Sequence, residues 1–227
     1  MPRVTALNQL LTVVARLRAP NGCPWDREQD HRSLRWHAVE EVYELLDAIE
    51  AGDDSEMEEE LGDLLLQVVF HCQLGKERGV FDFERVARRI SEKLIRRHPH
   101  VFGDAKVKDV DQVWSNWEKI KRAEKRGTRH ERPSALDGIP RRLPALLRAE
   151  KLLKKARRAH LAEPGRGARP RTRAEVARDL FELARYAQSR KWSAEDLLRA
   201  ETGRRERAWR KQEKALAARE GRRKSEG

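Results

Sequence analysis

The sequence predicts an all-α protein. Apolar residues recur at spacings of three and four along most of the chain, and β-branched runs with period-two alternation do not occur. Residues that start and stop helices fall at the edges of the periodic segments. The first helix is expected over 4–18, where Leu7, Leu10, Leu11, Val13 and Val14 are spaced by polar residues, as in an amphipathic helix rather than a leader peptide. The next two are expected over 33–51 and 54–78, with Ser33 and Asp53 as N-caps and Gly52 and Gly79 at the C-terminal ends. A fourth, over 83–98, opens at Asp82 and is closed by Pro99, with Gly103 at a further cap position. The remaining helices are expected over 109–126, 141–159, 172–190 and 193–219. The architecture implied is a helical bundle followed by a basic helical extension.

Composition narrows the class. The longest strongly apolar run, Leu64 to Phe70, is interrupted by Gln67 and is far short of the ~20 residues a membrane span requires. A cytoplasmic protein without a membrane partner is therefore expected. The two cysteines, Cys23 and Cys72, lie in different elements without CxxC spacing, which argues against a disulfide framework or a zinc site. The net charge of +12 is unevenly spread. Residues 1–133 hold 23 basic and 25 acidic side chains, whereas residues 134–227 hold 27 basic and 13 acidic. The expected organisation is a catalytic helical domain over 1–133, a connecting helix over 134–162, a flexible linker over 163–173 rich in Pro, Gly and Arg, and a basic helical region over 174–227.

Chemistry concentrates in EEVYELLDAIEAGDDSEMEEELGDLLLQVVF, which carries EExxE at Glu40–Glu44 and ExxD at Glu60–Asp63. Residues three apart on a helix lie about 60° apart around the axis and roughly 4.5 Å along it, so each pair can address one point. Glu44 lies eight residues before Gly52 and Glu60 eight after; Glu41 lies eleven before and Asp63 eleven after. An antiparallel hairpin about Gly52 therefore sets four carboxylates, Glu41, Glu44, Glu60 and Asp63, across one groove. The stripes Val42, Leu45, Leu46, Ile49 and Leu61, Leu64, Leu65, Val68, Val69 place them at the edge of the face expected to be buried. Gathering four negative charges there is unfavourable without protons or a cation, and an all-oxygen donor set calls for Mg²⁺, with Mn²⁺ as a substitute. Glu40 stands beside the square as a supporting residue or base. The competing reading is that acidic residues only solvate the outer face of the hairpin, a role that suits Glu50, Asp54, Glu56, Glu58 and Glu59.

These residues, together with GCPWD at Gly22–Asp26, KLIRRHPHVF at Lys93–Phe102, WxxWExIK at Trp114–Lys121 and SALDGIPRRLPAL at Ser134–Leu146, resemble the MazG family of nucleoside-triphosphate pyrophosphohydrolases over about residues 4–160. The resemblance implies a metal-dependent, homodimeric, all-α enzyme that cleaves a nucleoside triphosphate (NTP or dNTP) to the monophosphate and pyrophosphate. It also implies a phosphate clamp of Lys93 and Arg97, one turn apart on a helix, with Arg96 beside them, and nucleotide contacts from Trp117, Lys121 and Trp25. Some family members carry two catalytic copies, but here the second is eroded. In EVARDLFELARYA, Arg178 stands at the position of the Asp that would follow Glu175, and in ETGRRERAW, Gly203 replaces the clamp lysine. One active site per chain is expected, and the basic surplus is left to packing or to a nucleic-acid partner for which no motif is present. The reading from a different class is a non-catalytic nucleotide- or nucleic-acid-binding regulator that retains the fold.

Overall fold

The computed structural model describes residues 5–162 and 169–225, with side chains to residue 219. Among them are ten α-helices and no strand, so the chain is all-α. Tertiary contacts divide it into two units, Met1–Trp117 and Glu118–Gly227. No helix among the described residues is long and apolar enough to cross a membrane.

The first unit is organised on α4. Helix α1 (Ala6–Leu17) starts at Thr5, whose side chain accepts from the Asn8 amide, and α2 (Pro24–Glu28) is a short turn of helix that hydropathy does not reveal. Helix α3 (His37–Ala51) begins four residues later than expected, because Ser33 is engaged elsewhere. Asp30 accepts from the Arg32 and Ser33 amides while Ser33 Oγ accepts from the Asp30 amide, closing a turn that uses up the cap. These amide bonds hold the Asp30 carboxyl below its usual range. Helix α3 ends where Gly52 turns left-handed at φ 68°, and the Asp53 amide reaches back to the Ala48 carbonyl. Asp53 then caps α4 (Asp54–Glu77) by accepting from the Ser55 and Glu56 amides, so one glycine and one aspartate make the reversal that brings α3 back along α4.

Helix α1 packs on the C-terminal half of α4, giving a core of Val14, Leu34, Val69, Phe70 and Leu74. Arg18 locks this end. Its guanidinium holds both Glu77 oxygens at 2.8 and 2.7 Å, lies over the Phe70 ring and donates to the Asp26 and Gln29 carbonyls. Helix α5 (Phe83–Arg97) starts at the Asp82 cap. Pro99 does more than close it: Pro99–Phe102 forms the short α6. Helix α7 (Val110–Ala123) runs across the division between the units.

In the second unit, α8 (Ala145–Arg158) pairs with α10 (Ala194–Ser225), and α9 (Arg173–Ser189) opens with a capping box between Thr172 and Glu175. The start of α8 is made by α10: the Ala145 amide donates to Glu195, and Arg199 donates to the Arg141 and Leu143 carbonyls. Leu136, Leu152, Ala156 and Leu161 form its core with Trp209 against them, and the buried Arg148 is neutralised by Glu206. Residues 134–162 and 174–227, separate segments on composition, thus contribute to one core, and the division falls after Trp117 rather than at Pro133. Complementary faces on helices some 50 residues apart leave no local signature. Of the expected linker, 163–168 lie outside the described residues.

Candidate metal and nucleotide site

The hairpin brings Glu41, Glu60 and Asp63 together, each offering a carboxylate oxygen within 4.8 Å of the others, and all three are half-buried. Each comes from the position the turn dictates: Glu41 one turn before Leu45 on α3, Glu60 and Asp63 three apart on α4. Glu44 is exposed and stands outside this triad, but lies close enough to feel the charges of Glu60 and Glu41. Desolvation first, then the Glu60 charge, with Glu41 adding to it, holds the Glu44 carboxyl above its usual range. Partial burial, followed by the charges of Asp63 and Glu41, does the same to Glu60.

Two atoms are sheltered from solvent and have no hydrogen-bond partner: Glu60 Oε2 and Gln67 Oε1. Gln67 is itself buried, and its Nε2 donates to Glu41 Oε1 at 3.1 Å. It orients the carboxylate while its own Oε1 stays buried and without a partner. Gln67 is absent from the candidates that the sequence offers. The available signal was a lone amide in the apolar run Leu64–Phe70, one helical turn beyond Asp63 on the same face.

Orphaned buried oxygens are costly, and raised carboxyl pKa values mark charge without a counter-ion. An all-oxygen donor set with an unmatched acceptor fits a hard divalent cation.

The other candidates fall into three groups. Glu40 is exposed on α3 and lies 3.7 Å from His37, whose ring meets Trp25 edge-on at 6.1 Å between centroids. His37, also passed over on sequence, thus joins two of the candidates. On α5, Lys93 and Arg97 are half-buried one turn apart and Arg96 is exposed. The Arg97 guanidinium lies over the Trp117 ring at 5.3 Å, and Trp114 meets Trp117 edge-on. The intended clamp and the intended stacking platform are therefore in contact with each other. Lys121 belongs to the second unit and pairs with Glu118 at 3.4 Å. His98 caps the end of α5, its Nδ1 2.7 Å from the Leu94 carbonyl.

Residues 29–102 match the family profile described as the MazG nucleotide pyrophosphohydrolase domain. The chain is 49% identical over 150 residues to the nucleoside triphosphate pyrophosphohydrolase of Escherichia coli strain K12, a stretch covering 66% of this chain and 56% of that protein. It is 45% identical over 148 residues to the nucleoside triphosphate pyrophosphohydrolase/pyrophosphatase MazG of Thermotoga maritima, covering 65% and 55%. To the uncharacterized protein YabN of Bacillus subtilis it is 52% identical over 143 residues, covering 63% and 29%. The chain thus spans about half the length of the first two relatives and less of the third.

Proposed function

We propose that the chain hydrolyses nucleoside triphosphates, ribo- or deoxyribo-, to the monophosphate and pyrophosphate, with one active site per chain; the match of residues 29–102 to the MazG nucleotide pyrophosphohydrolase profile supports this. The observation that carries this reading is the triad Glu41, Glu60 and Asp63 with the sheltered, unpartnered Glu60 Oε2. Those three carboxylates, with Glu44 completing the set, would hold Mg²⁺ or Mn²⁺. When bound, the ion supplies charge neutralisation on phosphoryl oxygens and acidification of a water molecule.

The rest falls to the protein. Lys93, Arg97 and Arg96 offer three cationic side chains on the last two turns of α5 for the phosphate chain, Arg97 as a planar donor suited to two oxygens at once. Its seat on Trp117 holds that guanidinium in place before substrate arrives. Trp25, half-exposed, is the second aromatic surface. Glu40, with His37 beside it, accepts the proton released by the attacking water.

We further infer a homodimer in the cytoplasm. Val42, Leu46, Ile49, Leu61, Leu65 and Val68, expected on the buried face of the hairpin, are each 40–50% exposed. A contiguous apolar surface of this kind on the helices that carry the site suits a partner copy. The deciding experiment is a panel of NTPs and dNTPs incubated with Mg²⁺, Mn²⁺ or EDTA, with products resolved as nucleoside monophosphate and pyrophosphate. Release of orthophosphate, or activity that survives Glu41→Gln and Glu60→Gln, would refute the mechanism.

A further inference from the structure

The second unit carries 34 Lys and Arg against 16 Asp and Glu, a surplus the hydrolytic reading does not use. Part of it converges on one cleft of about 970 Å³ between the segment Lys125–Arg141 and the middle of α10. Three carboxylates line this cleft, and all are engaged. Asp137 pairs with Arg210 at 2.8 Å and accepts from the Ser134 amide. Glu213 accepts from the Ser134 hydroxyl and the Ala135 amide, and Glu131 from the Gly127 amide. Among the described residues, no ion pair involves Arg132, Arg141 or Lys214, which line the same cleft. These bonds fasten the walls, and five basic side chains, Lys125, Arg132, Arg141, Arg210 and Lys214, line the space against three carboxylates.

Arg132 is also positioned rather than loose. Its guanidinium lies against Gly138, which adopts φ 90°; a Cβ at that residue would sit 2.3 Å from Arg132 Nη1. A left-handed residue without a side chain is what lets the guanidinium approach the backbone here. The positive field extends into the wall behind: the half-buried Lys155 amine, which donates to the Ala135 carbonyl, is held below its usual range by burial first. Glu118 opposes that shift, while Lys121, Arg122 and Arg132 add to it.

We propose that this cleft binds the phosphate chain of a small oligophosphate, read by charge and without recognition of a base. The cleft is concave, which suits a compact polyanion better than an extended backbone. Its lining has no tryptophan, tyrosine or phenylalanine on which a base would stack. Inorganic tripolyphosphate and the triphosphate tail of a nucleotide share this chemistry, as does pyrophosphate. The site needs no divalent ion, so it is separable from the carboxylate triad and does not rest on the hydrolytic reading.

The test is calorimetric titration of the full chain in EDTA at about 50 mM salt, where screening is modest, with tripolyphosphate, ATP, sulfate and a nonspecific DNA duplex as separate probes. Saturable binding of one tripolyphosphate per chain is expected, with ATP within a few-fold of it. The affinity should fall by about tenfold or more in Arg141→Gln/Lys214→Gln, two exposed positions, and in Arg132→Gln, as expected for lost charge-assisted contacts. Glu41→Gln should bind as the wild type does. Several outcomes overturn the proposal: no saturable binding, binding equal to that of sulfate, or an affinity untouched by the paired variant. A duplex that binds more tightly and displaces tripolyphosphate would reassign the surface to nucleic acid. Tripolyphosphate binding lost in Lys93→Gln/Arg97→Gln and kept in Arg141→Gln/Lys214→Gln would return the ligand to the first unit.

Discussion

If the triad of Glu41, Glu60 and Asp63 is a cation site, divalent metal must stabilise the fold, and by an amount the structure sets. A ligand that binds only the native state at a hundred times its dissociation constant contributes about 2.7 kcal/mol. The unit that holds the site runs from Met1 to Trp117. At about 2.1 cal/mol/K per residue its unfolding entropy is roughly 0.25 kcal/mol/K, so its melting temperature should rise by about 11 °C. Differential scanning calorimetry of the full chain in EDTA and then in saturating Mn²⁺ or Mg²⁺ measures this directly. Glu60→Gln keeps the shape of the side chain and removes its charge. Because burial, Asp63 and Glu41 raise the folded-state pKa of Glu60 above 4.5, the cost of its ionised form builds as the pH rises past 4.5 and is complete above the raised value. Glu60→Gln in EDTA at neutral pH should therefore melt no lower than the wild type, while its metal-induced rise is lost. A wild type unmoved by millimolar metal, a variant that keeps the full rise, or a variant that melts well below the wild type in EDTA would each refute the site.

Gln67→Leu keeps the volume and removes the donor to Glu41 Oε1, so the metal concentration for half-maximal activity should rise by about 10–100-fold with the fold intact by circular dichroism. Arg18→Ala strips Glu77 of its bidentate partner and should cost roughly 2 kcal/mol in urea denaturation, discounted from a fully buried pair because Glu77 is 35% exposed. Arg18 first, with Gln73, lowers the folded-state pKa of Glu77, so the Arg18 contribution is present above pH 4.5 and fades as the pH falls through the depressed value. His71, its Nδ1 2.9 Å from that of His31, has a pKa lowered by burial and by His31. Its contribution is complete above pH 6.5 and lost as the pH falls through the lowered value; His71→Gln should flatten that part of the stability profile measured by urea titration at successive pH values.

What was legible in the sequence is what local chemistry controls. Gly52 with Asp53 forces the reversal of α3 onto α4 whatever else the chain does, which is why counting from that turn found three residues that meet within 4.8 Å. The count placed Glu44 level with Glu60, whose charge it feels, but Glu44 is exposed and outside the group of three. Residue number fixes height along a hairpin but not the rotation of each helix about its axis, and that rotation is set by packing against α1, which the count cannot include. The same limit explains the apolar stripes. Period alone says that Leu46, Leu61 and Leu65 share a face, and the structure leaves each of them 40–50% exposed. Pattern identifies a surface that must be covered, while the identity of its cover lies outside the segment.

Gln67 and the cleft of the second unit show the converse. A buried amide in an apolar run breaks the local rule that such runs are filled with apolar side chains, and its use emerges only when Glu41 arrives from another helix. Likewise, Asp137, Glu213 and Glu131 offset part of the positive charge in any count of residues. Only their fixed hydrogen bonds show that Arg132, Arg141 and Lys214 face the cleft without ion-pair partners among the described residues. A charge count over the whole chain is therefore a weaker guide to a ligand than the side chains that one space gathers: three carboxylates meet on the hairpin of the first unit, and five Lys and Arg line one cleft of the second against three Asp and Glu.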